Sequence, residues 1–311
     1  MKLDAHVHTH HSGMTTIWPL SLIMRESYTT PERAYRLAKA RGMDLVAITD
    51  HDTIAGALAL AHLPDVIVGC EVTAAFPRER IAAHLGVLDV TEAQFREIDR
   101  RRGDIADLLP YLREQQIFTT LNHVASQVNG RLTPAHIAAM LPWVDALEVI
   151  NGSRLRSQNR TAAALAEAAG KTRVGGSDAH TGRGIGFTYT VVDGARTRDE
   201  FLAGLRAGRA RAEGASGHYF TMASDMLRFA GRFYEERGRR LVERPLEWDR
   251  HAFVLGGIVG LPLLCLPLLG AAVHFIDEAR FNRSLLVDLV ARPAVARTLD
   301  IGLDGVLSEV A

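Results

Sequence analysis

The sequence predicts an α/β barrel followed by a helical C-terminal region, and two features of its pattern indicate this fold. Short apolar runs, such as residues 45–48, 65–70 and 117–121, alternate with segments of helical spacing, which is typical of a parallel sheet covered by helices. Residue types that bind metals or carry protons follow these runs at their carboxyl ends. In a barrel these ends meet at one face, so we expect a functional site there.

The first strand carries the densest cluster of such residues. His6 and His8 alternate with Ala5 and Val7, so on a strand both imidazoles project from one face toward one point. This arrangement suits a metal ion. On its own such a pair is more often two ordinary exposed or buried histidines, so the interpretation depends on the later strands.

The elements that follow repeat the arrangement. A helix begins at Pro31 with Thr30 as its N-cap and ends near Gly42. Further helical segments are predicted at residues 92–113, 134–140, 158–169 and 197–205. The ends of the predicted strands carry, in order, Asp50 and His51, Glu71, His84, Asn122 and His123, Asn151, and Asp178 and His180. Any one of these could be an ordinary loop residue, but coincidence at so many strand ends is a poor explanation of the set.

Composition limits the partners and the compartment. Basic residues (Lys and Arg) and acidic residues (Asp and Glu) number 36 each, so no net field favours a polyanion such as duplex nucleic acid. Cys70 and Cys265 lie far apart in apolar surroundings, which indicates buried thiols in a reducing compartment. Because Lys2 and Asp4 precede any apolar run, no signal peptide is recognisable, and we expect a cytoplasmic location.

The C-terminal part of the chain has a different character. A linker is predicted at residues 208–217 and a helical region at 218–311. Within it, residues 252–276 contain no Asp, Glu, Lys or Arg, and as a helix they would be about 37 Å long, enough to cross a ~30 Å hydrocarbon core. Arginines crowd the near side of the segment, whereas Arg280 and Arg283 on its far side lie close to Asp277 and Glu278, which predicts a tether to the inner face of a membrane. Pro262 and Pro267 leave a kinked span and a re-entrant hairpin equally open. A buried helical hairpin docked on the barrel is the alternative.

The residue types at the strand ends point to a metal centre. Neutral imidazoles and carboxylates together suit divalent manganese, zinc or iron, and a carboxylate such as Glu71 can bridge two ions. Two or three ions about 3.5 to 4 Å apart would hold a phosphoryl oxygen and lower the pKa of a bound water toward ~7. Hydrolysis of a phosphate ester is the chemistry that fits these residues.

The polar strand ends also form a series of motifs within residues 1–207. The motifs are His6-Val7-His8-Thr9 with Ser12, Ile48-Thr49-Asp50-His51-Asp52-Thr53, Gly69-Cys70-Glu71-Val72-Thr73, His84, His123 and Gly176-Ser177-Asp178-Ala179-His180. Together they resemble the polymerase and histidinol phosphatase (PHP) family of metal-dependent phosphoesterases. The resemblance implies a distorted (β/α)7 TIM-like barrel with a metal-dependent phosphoesterase site.

The resemblance also implies the ligands of two or three divalent ions. The first ion would be held by His6, His8, Glu71 and Asp178, the second by Glu71, His84 and His123, and the third by His51 and His180. The residues implied in catalysis are Asp50, His51, Glu71, Asp178 and His180. Asp4 and Asp50 would orient imidazoles, although each could equally be an ordinary strand-end carboxylate.

The third ion lacks one expected ligand. Family members often carry an Asp after the serine of the first motif, or a His one residue further on, but Gly13 and Met14 occupy these positions. Two neutral imidazoles then remain, so we expect the third ion to bind more weakly than the others. His10 or His11 could take the missing place, and replacing Gly13 with Asp should otherwise strengthen the site.

Two arginines are candidates for binding a substrate phosphate. Arg154 and Arg183 each follow a predicted strand end, and a guanidinium fork matches phosphate geometry. The expected function is hydrolysis of a small phosphorylated substrate. The alternatives are a membrane-anchored metal-binding scaffold with a degenerate site and an amidohydrolase-type C–N hydrolase. The amidohydrolase is disfavoured because the bridging lysine it needs is not apparent.

Overall fold

In the computed structural model, which describes residues 1–15, 21, 24–243 and 265–291, nine strands of the described chain form one sheet. The strands are β1 (Lys2–Asp4), β2 (Leu45–Ile48), β3 (Val66–Phe76), β4 (Ile81–Leu88), β5 (Phe118–Leu121), β6 (Ala146–Asn151), β7 (Thr172–Gly176), β8 (Thr188–Val192) and β9 (Ala210–Gly214). The helices are α1 (Pro31–Ala40), α2 (Ala55–Leu58), α3 (Glu92–Arg101), α4 (Ile105–Glu114), α5 (Pro134–Met140), α6 (Arg156–Ala168), α7 (Arg198–Arg206), α8 (Tyr219–Glu243) and α9 (Cys265–Ala291).

The sheet nearly closes into a barrel, which confirms the predicted α/β fold class. Its strand order is β7-β6-β5-β4-β3-β2-β1-β8-β9. At one end of the barrel the chain beyond β1 pairs with the chain beyond β7, because Asp178 N donates to His6 O at 2.8 Å and His8 N donates to Ala179 O at 3.2 Å. This pairing brings the first and the last motif of the sequence side by side.

Two strands depart from the parallel sheet that the sequence indicates: β8 is antiparallel to β1 and β9, and β4 is the second. β4 is antiparallel to both β3 and β5, with Thr73 opposite His84, whereas β1 to β3 and β5 to β7 are parallel. Only residues 77–80 join β3 to β4, and so short a connection permits a hairpin but not a parallel crossover. His84 therefore lies within a strand rather than at its carboxyl end.

The predicted helix at 92–113 is divided into two. α3 ends at Arg101, and α4 begins after Asp104, whose side chain accepts a hydrogen bond from Ala106 N at 2.9 Å. Gly103 lies between them, and glycine is a poor helix former. An N-cap aspartate directly after a glycine starts a new helix at little cost.

The core lies along the strands. Buried apolar side chains from the beginnings of parallel strands, including Leu3, Leu45, Ile67 and Phe118, pack in one cluster. A larger cluster packs the sheet against α3 to α6 and includes Leu285 and Leu289 of α9. The apolar starts of the strands thus support the polar residues that follow them.

The predicted linker at 208–217 contains strand β9. It pairs antiparallel with β8, with Thr190 opposite Ala212. Ala212 packs against the core, while Arg211 Nε donates a hydrogen bond to Glu213 Oε1 at 2.8 Å. Alternation of small and charged residues gives the segment an inner and an outer face, although its Gly, Ala and Arg composition resembles that of a linker.

The C-terminal helices do not support the predicted membrane span. Residues 252–264 of the apolar segment lie outside the described residues, and residues 265–276 belong to α9. No helix in the described part of the chain is long and apolar enough to cross a membrane. Glu278, expected beyond the far end of a span, is instead buried against the barrel.

Glu278 anchors α9 to the loop after β5. Its carboxylate accepts hydrogen bonds from Ser126 Oγ at 2.9 Å and Gln127 N at 3.2 Å, and also from the side chain of Gln158 on α6. A second polar contact joins Thr161 Oγ1 to Asn282 Oδ1 at 2.9 Å. The C-terminal helix therefore supports the segment that carries His123.

We expect Glu278→Ala to lower the free energy of unfolding by about 3 kcal/mol, because it leaves buried donors without an acceptor. Urea denaturation followed by circular dichroism measures the change. Asp288→Ala, at an exposed position of the same helix, is the matched control and should cost about 0.5 kcal/mol or less. Equal effects of the two variants would contradict the assigned anchoring role.

Candidate metal centre

The eight metal-ligand candidates of the sequence meet at one end of the barrel, around the carboxylate of Glu71. Its Oε2 atom lies 3.0 Å from His6 Nε2, 3.2 Å from His8 Nε2 and 3.3 Å from His51 Nδ1. Its Oε1 atom lies 3.0 Å from His123 Nε2 and 3.4 Å from His84 Nδ1. One carboxylate thus faces five imidazoles from four segments of the chain.

Asp178 forms a second acidic centre beside the first. Its Oδ1 atom lies 3.4 Å from His8 Nε2, 3.6 Å from His180 Nδ1 and 3.7 Å from His6 Nε2. Glu71 and Asp178 are both buried. The predicted ligands of the first ion therefore surround one point.

Two residues of the centre have an uncommon backbone conformation. Asp178 and His123 have positive φ angles of 50° and 28°, which are uncommon for residues with a side chain and cluster at functional sites. Gly176 leaves the necessary space, because a Cβ atom there would lie 2.4 Å from His6 Cβ. The glycine of the last motif is thus required for the first motif to approach.

The donor set fits divalent metal ions. Four groups have ligand atoms within 4.8 Å of one another: His6, His8 and Glu71; His6, His123 and Asp178; His51, Glu71 and His84; and His8, His51 and His180. Glu71 Oε2 is buried and accepts no hydrogen bond from the described residues. A buried carboxylate oxygen facing imidazole nitrogens without a donor is the arrangement that a cation satisfies.

The electrostatics of the centre are those of a site prepared for positive charge. Burial opposes a charge on His6, but the carboxylates of Glu71, Glu148 and Asp178 outweigh it and hold the pKa of His6 well above its usual range. Burial likewise opposes a charge on His8, yet the neighbouring carboxylates of Asp178 and Glu71 raise its pKa to about 9. Burial would raise the pKa of Glu71, but the surrounding histidines hold it well below its usual range.

The outer histidines behave differently. Burial, together with the neighbouring His8, lowers the pKa of His51 well below its usual value and also lowers that of His180. Burial lowers the pKa of His123 as well, against the opposing effect of Glu71. These three imidazoles are therefore held in the neutral form that a metal requires.

Asp4 and Asp50 are buried, but neither accepts a hydrogen bond from an imidazole. Asp4 accepts from the backbone of Gly186 and Ser177, at 2.7 and 2.8 Å, and burial raises its pKa to about 6 despite these bonds. Asp50 accepts from Thr9 and from Ser12 Oγ, at 2.8 Å for the latter, and Ser12 Oγ lies 3.2 Å from His8 Nδ1. Asp50 thus acts on His8 through Ser12 and does not reach the centre.

Glu148 is a residue of the site that the sequence interpretation missed. Its buried carboxylate lies 2.9 Å from His6 Nδ1 and accepts from His123 N at 3.0 Å and Asn151 Nδ2 at 2.8 Å. This bond directs His6 Nε2 toward Glu71. An acid between Leu147 and Val149 in an apolar strand was the available signal.

Two asparagines at strand ends complete the hydrogen bonding of the acids. Asn122 Nδ2 donates to Glu71 Oε1 at 2.9 Å, and Asn151 Nδ2 donates to Asp178 Oδ2 at 3.2 Å. Because both acceptors are buried, these amides reduce the cost of holding charge there. Their strand-end positions, visible in the sequence, thus have a structural reason.

The two candidate arginines occupy different places. Arg154 Nη2 donates to Asp178 Oδ2 at 2.9 Å, so its guanidinium is directed to a candidate ligand. Arg183 lies outside the centre, 3.7 Å from Asp225, on the wall of a cavity of about 490 Å³ that also includes His180. Arg183 thus lines a cavity, whereas Arg154 lies against a candidate ligand of the metal centre.

His10 and His11 do not complete the third position. Their rings pack on each other at 4.3 Å, and neither belongs to any of the candidate ligand groups among the described residues. Gly13 has a φ of 82° and a ψ of −143°, a region that only glycine adopts readily. The Gly13→Asp replacement that the sequence suggests would consequently be strained.

Comparison with known sequences gives two partial matches. The model of a PHP-associated family matches residues 156–210, which include Asp178 and His180. An uncharacterised protein of Methanocaldococcus jannaschii is 36% identical over 77 residues, which cover 23% of this chain and 44% of that protein. The chain thus spans less than half of the length of this relative.

Several solved structures are similar at low sequence identity. PsfC from Pseudomonas syringae is 19% identical, with a TM-score of 0.50 over 69% of this chain and 91% of that chain. A candidate metal-dependent phosphoesterase from Bifidobacterium adolescentis is 17% identical, with a TM-score of 0.43 over 65% and 94% of the two chains. An amidohydrolase from Chromobacterium violaceum is 16% identical, with a TM-score of 0.46 over 67% and 97%. The Pseudomonas likeness supports the fold alone.

The raised pKa of His8 predicts how metal affinity depends on pH. In the metal-free protein His8 holds a proton below pH 9, and a metal must displace it. The apparent affinity for Mn²⁺ should therefore rise from pH 6 to pH 9, by about tenfold per pH unit for each displaced proton. Calorimetry in buffers of different ionisation enthalpy measures both the affinity and the released proton. An affinity that does not change over this range would contradict the prediction.

Glu148→Gln should weaken metal binding about 10- to 100-fold, because an amide presents a donor where the three partners of Glu148 also donate. Equilibrium dialysis against Mn²⁺ measures the affinity. Glu114→Gln, at an exposed position of α4, is the control for loss of one acid and should leave the affinity at the wild-type value. Unchanged binding in Glu148→Gln would remove Glu148 from the site.

Proposed function

We propose that this chain, which belongs to the PHP family, is a hydrolase that cleaves phosphate esters with two or three divalent ions held by the histidine and carboxylate cluster. The observation that carries the proposal is the buried Oε2 atom of Glu71, which faces three imidazole nitrogens at 3.0 to 3.3 Å without accepting a hydrogen bond. Manganese, zinc and iron all suit these donors. When bound, such ions neutralise phosphoryl oxygens and lower the pKa of water toward ~7.

The chain's own residues would prepare the site in three ways. Glu71 is positioned between the two groups of imidazoles and can serve ions on both sides, since its two oxygens face different histidines. Arg154 neutralises the outer oxygen of Asp178 and holds the carboxylate in place. Asp50 holds the Thr9 to Ser12 turn and, through it, the orientation of His8.

The substrate would enter beside His180. The cavity there, of about 490 Å³, is lined by Arg33, Arg183, Arg228 and Arg232. Arginine binds phosphate oxygens in a forked geometry, so this wall suits a small phosphorylated substrate although the whole chain has no net charge. Arg183, 38% exposed, is the arginine of this wall that we assign to the phosphate.

The lysines of the chain argue against the amidohydrolase alternative. The sequence has three, Lys2, Lys39 and Lys171. Lys2 lies over the ring of Tyr189, Lys39 pairs with Asp65 at 2.8 Å, and Lys171 donates to Val144 O at 2.8 Å. None is available to bridge two ions, the place that Glu71 occupies here.

The thiol chemistry of the chain favours a reducing compartment. A buried free thiol at Cys70 suits the reducing cytosol, where we place the enzyme. Duplex nucleic acid is not expected as a partner.

Phosphoesterase activity is tested with a panel of phosphomonoesters and phosphodiesters, each with Mn²⁺, Zn²⁺ and Fe²⁺. Wild type should hydrolyse at least one class, and Asp178→Ala and His8→Ala should each lower kcat by about 10³-fold or more, since each removes a ligand. His62→Ala, at an exposed histidine outside the motifs, should retain the wild-type rate.

Two results would contradict the proposal. A metal-loaded wild-type protein without turnover on the whole panel would favour the metal-binding scaffold. Near wild-type rates in both Asp178→Ala and His8→Ala would mean that the reaction takes place elsewhere. Circular dichroism of each variant shows that a lost rate is not a lost fold.

A further inference from the structure

Gly13, where the expected ligand of the third ion is missing, lies in a short stretch of backbone that pairs antiparallel with residues 24–26. Gly13 O accepts from Glu26 N at 2.9 Å, Met14 pairs with Arg25, and Thr15 N donates to Met24 O at 3.0 Å. Glu26 is therefore the residue directly across from Gly13. Any side chain that replaces the function of position 13 would come most directly from this neighbour.

Glu26 projects toward the third position. Its Oε1 atom lies 3.5 Å from His180 Nε2, and its side chain is 22% exposed. Among the described residues, no lysine or arginine lies within ion-pair distance of this carboxylate, although arginines are abundant nearby. The contact with His180 is thus the main interaction of the Glu26 side chain.

The contact has the spacing of two ligands on one ion. His180 Nδ1 lies 3.2 Å from the carbonyl oxygen of Asp178, so the proton that this bond requires sits on Nδ1 and Nε2 has a lone pair. A lone pair and a carboxylate oxygen then face each other at 3.5 Å, which is unfavourable without a cation between them. Two ligands at 2.0 to 2.2 Å from a tetrahedral ion are about 3.4 Å apart.

We propose that Glu26 is a ligand of the third metal ion, together with His51 and His180, and that it replaces the acid that Gly13 cannot supply. The inference rests on the proposed function for the existence of the metal centre. His51 and His180 already belong to one candidate group with His8, and Glu26, which lies outside the 4.8 Å spacing of that group, would join it through its 3.5 Å contact with His180. Glu26 adds the negative charge that two neutral imidazoles lack, so the third ion binds more tightly than the sequence suggests.

The backbone conformation of Gly13 explains why the acid comes from position 26 instead of position 13. Gly13 takes a conformation with φ 82° and ψ −143°, in which a side chain is strained, and so the turn after the first motif cannot carry an acid at that point. Facing strands place opposite residues about 4.5 to 5.5 Å apart at Cα. A glutamate, one methylene longer than aspartate, can bridge that offset from the opposite strand.

The test counts metal ions in the full chain, independently of turnover. Protein loaded with Mn²⁺ and passed through a desalting column is analysed by inductively coupled plasma mass spectrometry, and the weakest binding step is titrated by calorimetry. Wild type should hold three ions per chain. Glu26→Gln should hold two, with the dissociation constant of the third step raised at least tenfold.

Two further variants make the test specific. Glu26→Asp keeps the charge but shortens the side chain, so its third-step affinity should lie between those of wild type and Glu26→Gln. Glu32→Gln, an exposed acid in the first turn of α1, is the matched control and should bind three ions as wild type does. Thermal melting of each metal-free variant confirms that the fold is kept.

Three unchanged ions in Glu26→Gln, or only two in wild type, would overturn the inference. Either result is compatible with phosphoesterase activity from the first two ions, so the failure of this inference is distinguishable from the failure of the proposed function. Anomalous scattering from manganese-soaked crystals provides the direct view: a third peak should lie within about 2.3 Å of the Glu26 carboxylate.

Discussion

The burial of Glu71 is the constraint on which the site depends. A carboxylate removed from water without partners costs several kcal/mol, and Glu71 is fully buried. The structure meets this cost with five imidazoles from four segments and with the amide of Asn122. Those imidazoles are held in turn by Glu148 and Asp178. Charge balance around one carboxylate therefore determines where each of the surrounding strands must end.

Closure of the barrel also brings the charged residues of the site together. The chain beyond β1 and the chain beyond β7 pair at His6 to His8 and Asp178 to Ala179, so the first and last motifs are joined by backbone hydrogen bonds. Farther out, Glu278 of the C-terminal helix holds the loop that follows His123. The C-terminal helix therefore helps to support the metal centre. Its apolar sequence did not indicate this role.

The parts of the fold that the sequence predicted depend on short-range patterns. Apolar runs, N-caps such as Thr30 and Thr197, and the two-residue alternation of His6 and His8 are all local. The hairpin of β3 and β4 and the docking of α9 depend on contacts between distant segments, and pattern alone did not indicate them. Arg154 shows the same limit: its residue type suggested a phosphate ligand, and its contact with Asp178 became visible only in the fold.

The sequence by itself determined the fold class and the polar strand ends, because residue type and strand period are properties of the chain. Its resemblance to the PHP family implied the eight metal-ligand candidates and the gap at Gly13. Only the tertiary structure decided what surrounds them. Glu148 and Glu26 were indistinguishable in sequence from ordinary buried or exposed acids, and folding brought one to His6 and the other to His180. A ligand is defined by distance and direction, and these arise when strands far apart in sequence are paired.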